Sequence, residues 1–254
     1  MISIADIIKI FIKYAIDAVR HKLPLLDKNR FPKSLQINAT SLNEWGRSPV
    51  LDVPFLFNTC PCSDLTFIDK LKVYLELENK TRFHFHGTSW DSSHDIISDG
   101  IRCILLSNDV TDFGLKCFYV GDIFEIAYEW ARRKSAGYAA VLCYSFDNLE
   151  SFDGSTIKKF SDAGNDWQNT VYKFRRTVGN SYLIDMKKYD LINGPICRVG
   201  NDFISCEEDI SPKLYKGNIA FQTAVRNDKT SLQMDSKLRG VVFFPLAEKM
   251  KVVN

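Results

Sequence analysis

An α+β fold is predicted from three observations. From Thr81 onward, short apolar strands are separated by compact helices; residues 82–87 show the two-residue alternation of a half-buried strand; and no internal repeat or Gly-, Pro- or Ser-rich linker divides the chain. The 254 residues are 45% hydrophobic and 13% aromatic with only 13 Gly and 8 Pro, which suffices for one good-sized core or two small ones and excludes disordered, collagenous and low-complexity classes. Lys and Arg number 33 against 31 Asp and Glu, a net charge of +2, so no long-range field implies stable nucleic-acid binding. Seven cysteines are scattered from Cys60 to Cys206 with only Cys60 and Cys62 close together. That spacing is neither a disulfide framework nor a paired zinc set, and predicts free thiols in a reducing, intracellular and cytoplasmic setting.

Residues 1–79 read as a helical and loop-rich N-terminal region. Helical periodicity covers roughly 3–22, where Asp6, Lys9, Lys13 and Asp17 interrupt an otherwise apolar run. Those charges are costly in a bilayer core, so the stretch is expected to dock on its own domain, with membrane or partner contact by residues 1–22 as the alternative. A Pro-containing loop follows, then a second helical stretch over about 64–77. This region either selects an acceptor or covers a cleft in the domain spanning 80–254.

In that second domain Phe83 and Phe85 take one face of a strand, His84 and His86 the other, and Gly87 ends it. Ser92 or Ser93 is expected to cap a short helix carrying Ile96 and Ile97, which Gly100 stops in the left-handed conformation. Strand 116–120 comes next. Asp122 and Glu125 then make a capping box for a helix whose stripe includes Ile126, Ala127, Trp130 and Ala131, with Trp130 packing the helix on the sheet. Further strands are predicted at 139–146, 189–192, 219–225 and 240–245, giving six or seven in all.

Among chemistries, no nucleophile sits in a strand-to-helix elbow. His84 and His86 lack an evident third ligand, so no metal site is predicted, and no Walker-type or dinucleotide-fold glycine loop is present. What remains is an arrangement spread over three strands: His86-Gly87-Thr88, Asp112-Phe113-Gly114 leading to Cys117-Phe118-Tyr119, and Ala220-Phe221-Gln222. In these residues, together with Ile96 to Ile101, Ala127 to Ala131, Trp167, Arg175 or Arg176, and Asp190 to Pro195, the chain resembles the ADP-ribosyltransferase superfamily. It is similar to the histidine-tyrosine branch shared by diphtheria-like toxins and poly(ADP-ribose) polymerases, and closest to a poorly characterised ADP-ribosyltransferase-like group. The match covers roughly residues 80–246. It implies a split, mixed or antiparallel sheet, NAD as co-substrate, and an unknown protein or nucleic-acid acceptor.

On that resemblance His86, Tyr119 and Gln222 are the catalytic candidates, and His86, Gly87, Thr88, Asp112, Phe113, Gly114 and Tyr119 the NAD-binding ones. The residue chemistry is compatible: Gly87 lets a carboxamide reach the backbone, His86 can bond a ribose hydroxyl, Thr88 adds another hydroxyl, and Tyr119 offers a ring for stacking. Gln222 would contact the 2′-hydroxyl of the nicotinamide ribose. The branch carries Glu there, and losing its charge costs on the order of 2–4 kcal/mol of transition-state stabilisation. Chain elongation is therefore not expected. The implied activity is mono-ADP-ribosyl transfer, with a non-catalytic NAD or ADP-ribose binding module, or an enzyme like the NAD-dependent RNA 2′-phosphotransferases, as alternatives. Cys117 stands where the pattern has Gly. Asp112-Phe113-Gly114 reads equally as a turn or a ligand loop, and the basic run 173–176 as a solvated helix face or a phosphate contact.

Overall fold

The computed structural model describes residues 38–41, 54–57, 69, 71–72, 82–103, 106, 111–135, 138–176 and 186–245. In chain order these form β1 (Asn38–Ser41), β2 (Pro54–Phe57), β3 (Phe83–Ser89), α1 (Trp90–Asp99), β4 (Phe118–Gly121), α2 (Phe124–Lys134), β5 (Tyr138–Ser145) and β6 (Ile157–Lys159). There follow α3 (Asn165–Arg176), β7 (Leu191–Pro195), β8 (Leu214–Tyr215), β9 (Asn218–Ile219), β10 (Phe221–Val225), α4 (Asp228–Asp235) and β11 (Leu238–Pro245). Nine strands make one sheet in the order β1-β2-β11-β5-β3-β4-β10-β7-β6, while β8 and β9 pair separately. Only β2–β11 and β6–β7 run parallel. The class is α+β with a mixed, mostly antiparallel sheet.

The sheet does not begin at residue 80. β1 and β2 extend it past β11, so the N-terminal region, read as helices and loops, supplies two strands. The helix expected over 3–22 lies outside the described residues. Of the stretch 64–77, residues 69, 71 and 72 are helical, and Leu71 is fully buried against the main core. Among the described residues no helix is long and apolar enough to cross a membrane. The five described cysteines are free thiols.

Local chemistry explains the helix ends, and corrects two of them. Ser89, not Ser92 or Ser93, caps α1, its Oγ accepting from Ser92 N at 3.2 Å. Gly100 ends α1 at φ +78, as the sequence suggests, and its N–H returns to the Ile96 carbonyl at 2.8 Å. The expected capping box at α2 is absent. Ile123 occupies the cap, the Asp122 carboxylate instead accepts from Phe221 N at 3.0 Å, and Glu125 accepts from the Tyr215 hydroxyl. β3 runs on through Gly87 to Ser89 because its pairing with β5 continues to Ala139.

Side-chain alternation distributes the core over both faces of the sheet. On one face Phe118, Val120, Leu142, Tyr144, Val241 and Phe243 pack with α1. On the other, Phe85, Val141, Cys143 and Val242 lie under Ala127, Tyr128 and Ala131 of α2. On that second face, further along, Ile192 and Ala224 pack with Phe113, Phe160 and the α3 residues Trp167, Val171 and Phe174. Tyr119, Gly121 and Gln222 share this face between the two clusters, as their register with Ala224, Phe85 and Gly194 requires.

Gly87 sets how closely α2 approaches β3. A Cβ built on it would overlap the Ala127 carbonyl, which is backbone and cannot rotate away. The Gly87→Ala protein is expected to lose at least about 3 kcal/mol of stability in denaturant titration, the upper end of overpacking costs, because helix and strand must separate to admit one methyl.

Candidate functional site

The backbone pattern opens the sheet at its centre. In the β4–β10 pair, Asp122 N donates to Phe221 O at 3.2 Å. By two-residue alternation, Val120 and Phe118 then bond β10, while Gly121 and Tyr119 turn their N–H and C=O toward β3. Gly121 meets Phe85 there, but this is the only position at which β3 and β4 pair. On the far side, Ser145 N donates to Lys237 O at 2.9 Å, so the odd-numbered residues of β5 bond β11 and the even-numbered ones bond β3. Gly87, opposite Val141, therefore turns its N–H and C=O away from β5 and into the opening beyond Phe85. β4 is the strand on that side, and it pairs with β3 only at Phe85.

His86 stands at this opening. Its Nδ1 lies 2.6 Å from the Tyr119 carbonyl, and its ring stacks on Phe118 with centroids 4.1 Å apart. A carbonyl can only accept, so Nδ1 carries the hydrogen. Burial, assisted by the positive charge of Lys134, lowers the His86 pKa to about 4 against the pull of the Tyr119 carbonyl. The ring is thus neutral near pH 7, with Nε2 an acceptor. His84 is arranged alike: Nε2 reaches the Phe146 carbonyl at 3.2 Å, the rings stack at 3.8 Å, and burial lowers its pKa to about 4. Among the described residues no three His, Cys, Asp or Glu side chains gather as a metal set.

Tyr119 meets His86 through its backbone; its ring lies on the opposite face of the sheet, with Phe113. Its hydroxyl is 2.8 Å from Thr111 Oγ1 and accepts from Phe113 N at 3.0 Å, which fixes the ring's tilt. The Asp112-Phe113-Gly114 segment is a buried turn rather than a ligand-facing loop. Phe113 is 0% exposed between Tyr119 and Phe160, and Gly114 adopts φ +118 beneath Phe174. Cys117, at the position where the family pattern has Gly, closes this turn by directing Sγ at the Leu115 carbonyl, 3.3 Å away. Burial raises its pKa, so it remains a thiol.

Asp112 is 4% exposed and its oxygens are fully engaged. Oδ1 accepts from Arg175 Nε at 2.8 Å and also from Nη2; Oδ2 accepts from Cys197 N at 2.9 Å and from Gln222 Nε2 at 2.5 Å. Asp112 therefore holds Gln222 instead of reaching the opening. Gln222 stands between two glycines, Gly121 on β4 and Gly194 on β7. Its Oε1 has no donor among the described residues and is not buried.

Other expected contacts are placed differently. Thr88 is buried on the face of His86, opposite Ala140. Arg175 and Arg176 tie loops together: Arg175 also donates to Val199 O, and Arg176 to Asn201 O at 2.9 Å and to Ile204 O. Trp130 does not pack on the sheet. Phe124, Ala127, Tyr128 and Ala131 fill that face of α2, while Trp130 is 50% exposed with Lys134 Nζ 4.9 Å from its ring centroid. Nothing in the sequence marks Gly121 or the Cys197 N–H as site groups; both emerge from cross-strand register.

Residues 88–223, more than half of the chain, match the family described as Protein of unknown function (DUF3990). No curated protein matches the chain. The matched segment contains Asp112, Tyr119 and Gln222 and begins directly after Gly87.

Because His84 and His86 are held neutral when folded, the unfolded chain binds more protons between pH 6.5 and about 4. Each histidine's stabilisation is complete above pH 6.5 and falls away toward pH 4, by roughly 3 kcal/mol at most. Asp235, raised to about 6 by burial, acts oppositely over part of this range. The difference between wild type and His86→Asn, whose amide retains a donor for Tyr119, isolates the His86 share: denaturant titrations should converge as pH falls from 6.5 to 4.

Proposed function

We propose that this chain, which belongs to the DUF3990 family, is an NAD-dependent mono-ADP-ribosyltransferase whose nicotinamide end is held at the opening between β3 and β4. One observation carries the reading: the strand register turns the N–H and C=O of Gly87 toward the opening as a donor and acceptor side by side, the complement of a carboxamide, with the acceptor Nε2 of His86 adjacent. The resemblance to ADP-ribosyltransferases supports it independently. In this reading Gly87 N–H donates to the carboxamide oxygen and Gly87 C=O accepts from its NH2. His86 Nε2 accepts from a ribose hydroxyl. The Tyr119 ring, fixed by Thr111 and Phe113, flanks the nicotinamide, and Gln222 Oε1 accepts from the 2′-hydroxyl.

The chemistry is C–N cleavage. The bond from ribose C1′ to the ring nitrogen breaks, its electron pair leaves with nicotinamide, and the acceptor nucleophile bonds C1′ and loses its proton. An acceptor oxygen at the 2′-hydroxyl draws electron density toward the sugar as positive charge develops. Gln222 supplies that oxygen without net charge, which suits single transfers at modest rates. The same amide favours a second reading, NAD binding without turnover, because a neutral acceptor stabilises ground and transition states more equally than a carboxylate. The RNA 2′-phosphotransferase alternative needs free Arg and His groups around the site. Of the residues that suggest it, Arg82, His84 and His86, His84 is committed to the Phe146 carbonyl and His86 offers only Nε2, which leaves this reading with less support than the other two.

Incubation with NAD should release nicotinamide, and calorimetry should register NAD binding. His86→Ala is expected to reduce release about 100-fold, the scale of losing one aligned polar contact. Gly121→Val places a side chain beside Gln222, where a Cβ meets only ordinary contacts at 3.5 and 3.9 Å. It should weaken NAD binding at least 10-fold with little change in melting temperature. Binding without release would select the second reading, whereas a folded protein that does neither sinks both.

A further inference from the structure

The Asp112 carboxylate accepts four hydrogen bonds, two at each oxygen, which uses all its acceptor capacity. Three come from groups that cannot do otherwise: the Arg175 Nε–H and Nη2–H and the Cys197 backbone N–H. Whatever residue stands at 222 must therefore offer a donor to Oδ2. Glutamine does so with Nε2 at 2.5 Å, and this decides its amide orientation, since turning Oε1 inward would set two acceptors against each other. A glutamate at this position would put a second carboxylate against the first.

Resting on the NAD reading above, we propose that Asp112 is a positioning residue: it locks the Gln222 amide with Oε1 presented as a fixed acceptor, and it makes glutamine the required residue at 222 instead of a weakened glutamate. Arg175 balances its charge, so Asp112 acts through the orientation and polarisation of the amide, not as a direct counter-charge. Installing the family's carboxylate therefore does not simply restore a lost charge. In Gln222→Glu the new carboxyl would keep its proton, donate it to Asp112 and present its carbonyl as the Gln222 amide does; ionisation would then break that arrangement.

The charged and titratable groups around position 222 are few. Asp112 and Arg175 face it from the 111–114 turn and α3, Cys197 follows β7, Tyr119 and Asp122 lie on and after β4, and Arg226 follows β10, where it donates to the Met186 and Tyr189 carbonyls. Among the described residues, only Asp112 accepts from the side chain at 222.

The test compares wild type, Gln222→Glu and the double variant that adds Asp112→Asn, each checked by thermal melting. The carboxyl introduced at position 222 is followed by carbon NMR without NAD, and nicotinamide release is followed from pH 5 to 9. In the single variant that carboxyl is expected to titrate well above the ordinary glutamate value of about 4.3. Release by this variant should match wild type on the acid side and fall at least 10-fold across the titration, a step wild type lacks. In the double variant the negative charge opposite the carboxyl is gone, so the titration should return toward the ordinary range and the alkaline loss should disappear. A position-222 carboxyl that titrates near the ordinary value in the single variant, or an unchanged titration in the double, overturns the proposal. A raised titration that returns in the double variant, alongside wild type that neither binds nor cleaves NAD, overturns the NAD reading while upholding Asp112's control of position 222.

Discussion

A single side-chain hydrogen bond, from His86 Nδ1 to the Tyr119 carbonyl, stands where the β3–β4 ladder would otherwise continue. The strands pair once, at Phe85 and Gly121, and then part. The bond satisfies the Tyr119 carbonyl, which burial would otherwise leave costly, while the Gly87 N–H and C=O turn toward the opening. It also specifies the histidine tautomer, so one interaction both spans the opening and fixes the chemistry at its edge. Had β3 and β4 paired along their length, Gly87 would be bonded like any other strand residue and the site would not exist.

The opening persists because each half of the sheet is anchored separately. On one side α2 lies so close to β3 that only glycine fits at 87, and Phe85, Cys143 and Val242 pack beneath it. On the other, Phe113 wedges among Phe160, Trp167 and Phe174, while Asp112 collects donors from α3, from the backbone after β7 and from β10. The second anchor is electrostatic at its centre. A buried Asp–Arg pair contributes most when its remaining hydrogen-bonding positions are filled, as they are here by Cys197 N and Val199 O. These anchors fix the positions of Tyr119 and Gln222, so the groups at the opening inherit their geometry from residues that never face it.

Much of the local framework was legible in the residues. Alternation at 82–87 located β3, and Gly100 marked a helix end that requires positive φ. The misses have physical causes. β6 is three residues long and α4 carries few apolar residues, so neither shows a period; α4 is defined by its Asn227 cap, whose Oδ1 accepts from Thr230 N at 2.8 Å. Asp122 and Glu125 have the spacing of a capping box, yet a cross-strand N–H and a tyrosine hydroxyl compete for them and prevail. Trp130 matches a helical stripe, but Tyr128 and Phe124 occupy the same sheet-facing side and turn it outward.

By itself, then, the sequence determined the class of fold, the strand carrying His86 and Gly87, and the order of Tyr119 and Gln222 along the chain, because alternation, glycine conformation and motif order are local properties. Tertiary structure alone decided that β3 and β4 separate after one pair, that Asp112 turns inward to Gln222, and that Gly121 stands beside it. Those facts depend on register and on which acceptor captures which donor between residues far apart in the chain, a competition that no local pattern encodes.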